Sequence, residues 1–448
     1  MNKRLMALLS VVTIVGSACN ATAPASQTPA SQPAATTGAS QPAASAEAVK
    51  LVVWPRNYTL TQDPPFQPVT KTWEAAHPGV TVELSGAPYD PQFQRIELSQ
   101  AGQISDVPDI VQLDNIWLGQ FTEEKILANL DSYYASWAGK TDILPAYADS
   151  TKWNGSQQAV WFYSDIRLLI WNKDVFKKAG LDPEKGPATW DDVMADAQAI
   201  KEKVPGVVPV GFPAASQEGT VDRWYPYLYM TGSNILSPDN KTAVFNDAGG
   251  QKAVQFYVDL VNRGYASKDL LTQEADAVSA SVFSGKYGMM LATVGSGLSD
   301  RPEGMTAEQF KATIGAIVPP ICAGCQQATV AGGWMLGITE KSTHKDLAWD
   351  YIMAVTDGAQ MVPFEDQFTR VPVRQTGLAD PSKFATDPYF GESAKAAAVA
   401  HFPPFIAKYT GMIEFIWTGI QKAVNGDLST KDALDEAANS VNTLLATP

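Results

Sequence analysis

AVWFYSDIRLLIWNKDVF, residues 159–176, is the stretch on which the reading of the chain turns. Val160, Trp161 and Phe162, then Leu168, Leu169, Ile170 and Trp171, form a near-continuous apolar run, the pattern of a strand buried on both faces. Tyr163, Ser164, Asp165 and Arg167 interrupt it with polar groups that a simple core strand excludes unless each has a partner. A strand dry at both ends and polar in its middle suits a crossing between two dry lobes over a wet cleft. A core strand with an internal Asp165–Arg167 ion pair is the competing reading; fully buried charges are rare, which favours the cleft. Asn172, Lys173 and Asp174 then read as a turn, and a helix opens at 175–179.

Upstream, LVVW at 51–54 reads as a buried strand ended by Pro55, followed by an amphipathic helix over 66–77 with Phe66, Val69, Trp73 and Ala76 on one face. Pro78-Gly79 stops it, and 80–84 alternates as a second strand. A helix over 92–102, with Phe93, Ile96 and Leu98 inward, leads to a third strand at 108–113. Such alternation implies an α/β lobe with a mainly parallel sheet. Ligands bind such sheets beyond the carboxyl ends of the strands, where Asp114 and Trp117 fall. Capping the helix over 116–124 is an equal reading for Asp114.

The start of the chain supplies an address. Lys3 and Arg4, an apolar run over 5–15 and Gly16-Ser17-Ala18-Cys19 form an export leader. The run is well short of the ~20 residues of a membrane span. It resembles a bacterial lipoprotein signal in which Cys19 is lipidated, although Gly16 stands where an aliphatic residue is usual. An ordinary secretory peptide is the alternative. Residues 20–48, rich in Ala, Pro, Ser, Thr and Gln, bury too little to fold and read as a tether. The rest is long enough for two domains. A net charge of −14 argues against a nucleic-acid partner. Cys322 and Cys325, the cysteines remaining after Cys19, read as a loop disulfide; a zinc site lacks further ligands, and the chain has three His in all.

Downstream of the crossing stretch, Thr189 reads as the cap of a helix over 189–204, and 207–212 as a strand. Residues 222–229, DRWYPYLY, are the densest aromatic run. Asn246 reads as the cap of a helix over 248–263.

HPGVTVE, SDVPDIVQLDNIWLGQF, FYSDIRLLIWNKDVFKKAGLDP and TWDDV, then FSGKYGMMLA, VAGGWMLGI and GDLSTKDALDEAANSVNTLL, resemble in that order the carbohydrate-binding solute-binding proteins of ABC importers, the family of maltose- and trehalose-binding proteins. The resemblance covers 49–445. It implies a two-lobed Venus-flytrap α/β fold: an N-terminal lobe of 49–162 plus 293–338, and a C-terminal lobe of 163–292 plus 339–448. Strand 287–292 would return the chain to the first lobe, 313–318 and 331–338 would complete that lobe, and a helix over 344–356 would resume the second. A monomer carrying a sugar to ABC permease subunits, tied to the membrane by lipid alone, without cofactor, metal or catalysis, is what the family implies. Residues matching its cleft positions are Asp114, Trp117, Tyr163, Asp165, Arg167, Trp224, Gly333, Trp334 and Arg370. Aromatic rings cover the C–H faces of a pyranose, while Asp, Asn and Arg meet its hydroxyls in bidentate hydrogen bonds. Two rivals stand beside this reading. One is a secreted glycan-acting enzyme using Asp114 and Asp165 as paired carboxylates. The other is a solute-binding protein for a non-sugar ligand such as a polyamine.

Overall fold

The computed structural model describes residues 48–56, 66–294, 301–362, 370–378 and 387–447. The leader, Cys19 and the tether to residue 47 lie outside them. Strands β1 (Val49–Trp54), β2 (Val80–Leu84) and β3 (Ile110–Asp114) stand where the sequence predicts them, and β1 runs parallel to both neighbours. The helices Phe66–Ala76 and Tyr89–Gln100 are their crossovers. Leu98 departs from expectation and is 39 % exposed, because Ile96 sets the buried face and Leu98 lies two residues round the helix from it.

The 159–176 stretch divides at Arg167. Strand β4 (Val160–Ile166) belongs to the first sheet and β5 (Leu168–Asn172) to a second. Further strands are β6 (Val208–Val210), β7 (Tyr287–Ala292), β8 (Ile314–Ile317), β9 (Thr329–Ile338) and β10 (Ala400–His401). The first sheet has the order β2-β1-β3-β9-β10, with β4 also on β9; the second has the order β8-β5-β7-β6. The fold is the two-lobed α/β architecture of periplasmic binding proteins, one sheet to a lobe. Parallel pairing dominates the first three strands, whereas β5 is antiparallel to both β7 and β8.

Three segments sit differently from expectation. The first is β8, which pairs with β5 in the second sheet rather than completing the first. Gly315 makes this possible, since a Cβ there would stand 2.2 Å from the Trp171 ring. The second is β7, followed by β8 in the same sheet, so the return to the first sheet comes after Ile317. That return carries the Cys322–Cys325 disulfide, whose Cα atoms are 5.2 Å apart. The third is the helix Lys345–Val355, which packs on the first lobe: Trp73 Nε1 donates to Asp350 Oδ2 at 2.7 Å, and Thr70 and Tyr351 share a hydroxyl hydrogen bond. Its apolar face (Ala348, Tyr351, Ile352, Val355) matches the face that Phe66–Ala76 presents.

Local caps follow the sequence in most places. Asn172 accepts from the Val175 N–H, and Thr189 forms a capping box with Asp192. At 248, Asp247 rather than Asn246 is the cap, accepting from the Gly250 N–H; Asn246 instead donates to Asp435. Among the described residues no helix is long and apolar enough to cross a membrane, and no three or more His, Cys, Asp or Glu side chains are grouped so as to hold a metal ion.

Candidate ligand-binding site

Between the sheets lies a cavity of about 670 Å³, within the range of small-molecule sites. The first lobe contributes Arg56 past β1, Asp114 to Trp117 past β3, Asp165 and Arg167 on the crossing, Gly332 to Trp334 on β9, and Arg370. The second contributes Ser216 to Gly219, Asp222 and Arg223 at the start of the helix Glu218–Met230, Glu274 to Asp276 at the start of Ala275–Phe283, and Thr410, Ile413 and Trp417 along Tyr409–Asn425. Helix starts favour the carboxylates found on this wall.

Asp114 fills both roles read for it. Its carboxylate accepts from the Ile116 N–H at 3.3 Å, capping the 3₁₀ turn Asn115–Trp117, and the residue lines the cavity. Asp165 and Arg167 do not pair with each other. Arg370 donates to Asp165 Oδ1, while Arg167 Nε donates to Asp222 Oδ2 at 2.7 Å, and Arg223 binds the same carboxylate. Burial works against the charge on Arg167, but Asp222, Glu218 and Asp165 outweigh it and its pKa is raised. Removal from water, reinforced by Asp222 and Asp114, lifts the Glu218 carboxyl to about 8.

Seven of the nine residues named from the sequence therefore meet in the cleft: Asp114, Trp117, Asp165, Arg167, Gly333, Trp334 and Arg370. Tyr163 does not reach it, because the Arg370 guanidinium lies over its ring at 4.9 Å and leaves it fully buried. Trp224 follows the cleft-facing Asp222 and Arg223 but turns into the core, 0 % exposed, with Phe245 edge-on to its ring. Trp334 lines the cavity, yet Arg56 lies over its ring at 4.5 Å and Trp117 meets it edge-on at 5.7 Å. Two half-buried rings line this space, Phe93, which packs on Trp117 and Phe121, and Trp417, which sequence reasoning missed: Thr410, Ile413 and Trp417 follow a helical spacing indistinguishable from a core stripe. Glu218 and Asp222, one turn apart, were also missed, although that spacing ahead of the aromatic run was a usable signal.

Gly333 has φ +138°, and a Cβ there would meet Tyr163 O at 2.4 Å. Only glycine fits this approach of β9 to β4.

A family model described as bacterial extracellular solute-binding protein matches residues 59–361, more than half of the chain. A binding protein of Brucella abortus (strain 2308) is 28 % identical over 249 residues, 55 % of this chain and 58 % of that one; the chain thus spans little more than half of that relative. A protein of Sinorhizobium fredii, carrying a name as an amino-acid ABC transporter periplasmic-binding protein, is 24 % identical over 337 residues, covering 73 % of this chain and 74 % of its own. Among solved structures, a solute-binding protein of Thermotoga lettingae bound with alpha-D-tagatose superposes with a TM-score of 0.78 at 24 % identity, over 89 % of this chain and 100 % of that one. Two sheets joined by a crossing strand, a lined cleft between them and the match over 59–361 agree: the chain belongs to the bacterial extracellular solute-binding proteins.

Proposed function

We propose that the protein is the ligand-capturing component of an ABC importer and that its cargo is a sugar held in the interlobe cleft. The observation that carries this is the state of the cleft arginines. Arg370 is bound to Asp165, and Arg167 and Arg223 share the single carboxylate of Asp222, so each of these guanidinium groups is ion-paired and held as a planar donor. Such fixed groups suit adjacent hydroxyls of an uncharged polyol, and Trp417 offers a ring for its C–H face. An anionic cargo would want unspent positive charge. The lining has six carboxyl groups to four guanidinium groups, and with Glu218 protonated below about pH 8 an excess of one negative charge is left, which makes a cationic ligand such as a polyamine the second reading. Catalysis is not part of the proposal: Asp114 caps a turn and Asp165 holds Arg370, so both serve as acceptors. Export and anchoring through Cys19 rest on the leader and tether alone.

The test is a thermal-shift panel of maltose, trehalose, D-glucose, sn-glycerol 3-phosphate, amino acids and spermidine, with a released-sugar assay alongside. One sugar should raise the melting temperature without being cleaved, as ligand at 100 times Kd adds about 2.7 kcal/mol. Trp417→Ala should weaken that sugar about ten-fold, or about 1.4 kcal/mol. A shift with spermidine alone, or release of sugar, would sink the proposal. Mass analysis of the cell-derived N-terminal peptide should show a lipid adduct on Cys19; an unmodified peptide would remove the anchor.

A further inference from the structure

We propose that Glu218 meets the cargo as a neutral carboxylic acid, donating its O–H to a ligand oxygen, so that capture of an uncharged ligand is linked to proton binding in the cleft. The residue opens the helix Glu218–Met230 and lines the cavity, half-buried. Among the described residues its carboxyl group makes no hydrogen bond or ion pair, and its oxygens are open to the cavity rather than sealed behind the wall. A polar group so placed completes its hydrogen bonding from outside the chain, with water in the empty cleft and with a ligand in the filled one.

The surroundings decide its charge. Asp222 lies one turn on, and its Oδ2 takes Arg167 Nε at 2.7 Å together with Arg167 Nη2 and Arg223 Nη1, so both of these cations are committed to another carboxylate. Asp114 adds a negative charge from the end of β3 in the other lobe. Glu274 and Asp276 line the same wall from the neighbouring helix start, which is close enough that a Cβ on Gly219 would stand 2.9 Å from Ala275 Cβ. The buried hydroxyls of Tyr225 and Tyr409 bond to each other at 3.2 Å rather than to Glu218. Of the other cavity cations, Arg370 is held by Asp165 and Arg56 lies over the Trp334 ring. A helix start favours an ionised carboxylate. Removal from water, with Asp222 and Asp114 nearby, outweighs that and the pull of Arg167 and Arg223, so the group keeps its proton up to about 8.

A protonated carboxyl donates one hydrogen bond to a hydroxyl or ether oxygen and gives a cation no charge to pair with. The two cargo readings therefore predict pH dependences of opposite sign. A sugar accepting from Glu218 binds the protonated form and is lost as pH rises through about 8, whereas a polyamine gains as the carboxylate forms. The inference deepens the sugar reading and rests on it for the ligand, but the proton on Glu218 is measurable in the ligand-free protein.

Calorimetric titration with whichever of maltose, trehalose or D-glucose binds should give an affinity about ten-fold weaker at about pH 9 than at about pH 7. About half a proton per sugar should be taken up at about pH 8, read by comparing buffers of different ionisation enthalpy. Glu218→Gln, whose amide still donates, should show neither the pH slope nor the proton uptake. In the ligand-free parent, carboxyl-carbon NMR should show a Glu titrating at about 8 that is missing from Glu218→Gln. A parent that binds its sugar equally at both pH values without exchanging protons overturns the donor and leaves the sugar reading standing. Spermidine bound in place of any sugar, tighter at the higher pH and with a proton released, fails both. A Glu218 that titrates as an ordinary carboxyl in the ligand-free protein overturns the donor whatever the ligand.

Discussion

Glu218 carries the clearest consequence of single-residue environment. Its folded pKa, about 8, lies above the ordinary carboxylate value of 4.5. The folded protein therefore keeps a proton that the unfolded chain has released. The stability this contributes is full below about pH 4.5 and is lost as pH rises through about 8. Thermal melts from about pH 5 to 9 should fall through this window, with a slope of at most about 1.4 kcal/mol per pH unit from this group. Glu218→Gln should flatten the profile; an unchanged slope would show that Glu218 titrates normally. No composition or spacing reveals such a shift, because it depends first on burial in the fold, then on Asp222 and on Asp114 arriving from the other lobe. The same limit separated Trp417 from Trp224. Both are tryptophans on apolar-patterned helices, and only the packing of Phe245 and Tyr225 decides which ring is lost to the core.

At the scale of elements, the crossing strand was the most legible part of the chain. Its apolar ends and polar centre are a local pattern, and the division at Arg167 falls inside that centre. The partners were not legible. Asp165 meets Arg370, 205 residues away, and Arg167 meets Asp222 on a helix of the other lobe. Pairing of β8 with β5 was hidden for the same reason: strand type is written locally, whereas sheet membership depends on which edge is open and on Gly315 clearing Trp171. Asp165→Ala should therefore cost stability as well as affinity. Removing one partner of a buried ion pair costs about 3–5 kcal/mol, and the cleft exposure of the Asp165 side chain, 14 %, puts this pair at the lower end. Asp165→Asn, which retains an acceptor for Arg370, should recover most of the melting temperature but not the ligand affinity. Unaltered melting in the Ala variant, measured by calorimetry without ligand, would mean that the pair is not formed in solution.

For the whole molecule, the order of motifs along the chain conveyed the two-lobed fold, while the exact division of segments between the lobes needed the strand pairings. Both walls of the cleft carry groups that a ligand can bridge: Asp165 and Arg370 on one side, Trp417 and the start of the helix Glu218–Met230 on the other. Contacts from both walls are complete only when the lobes approach, so a ligand bridging them must shift the population towards closure. Arg167, tying the break between β4 and β5 to Asp222, stands at the crossing between the two sheets. Small-angle X-ray scattering of the mature protein with and without a saturating sugar from the panel tests this most directly. Capture between the lobes predicts a smaller radius of gyration in the sugar-bound protein, and no such change in Trp417→Ala at the same sugar concentration when its weakened binding leaves the cleft mostly empty. A sugar bound tightly with the radius of gyration unchanged would contradict capture by closure of the cleft.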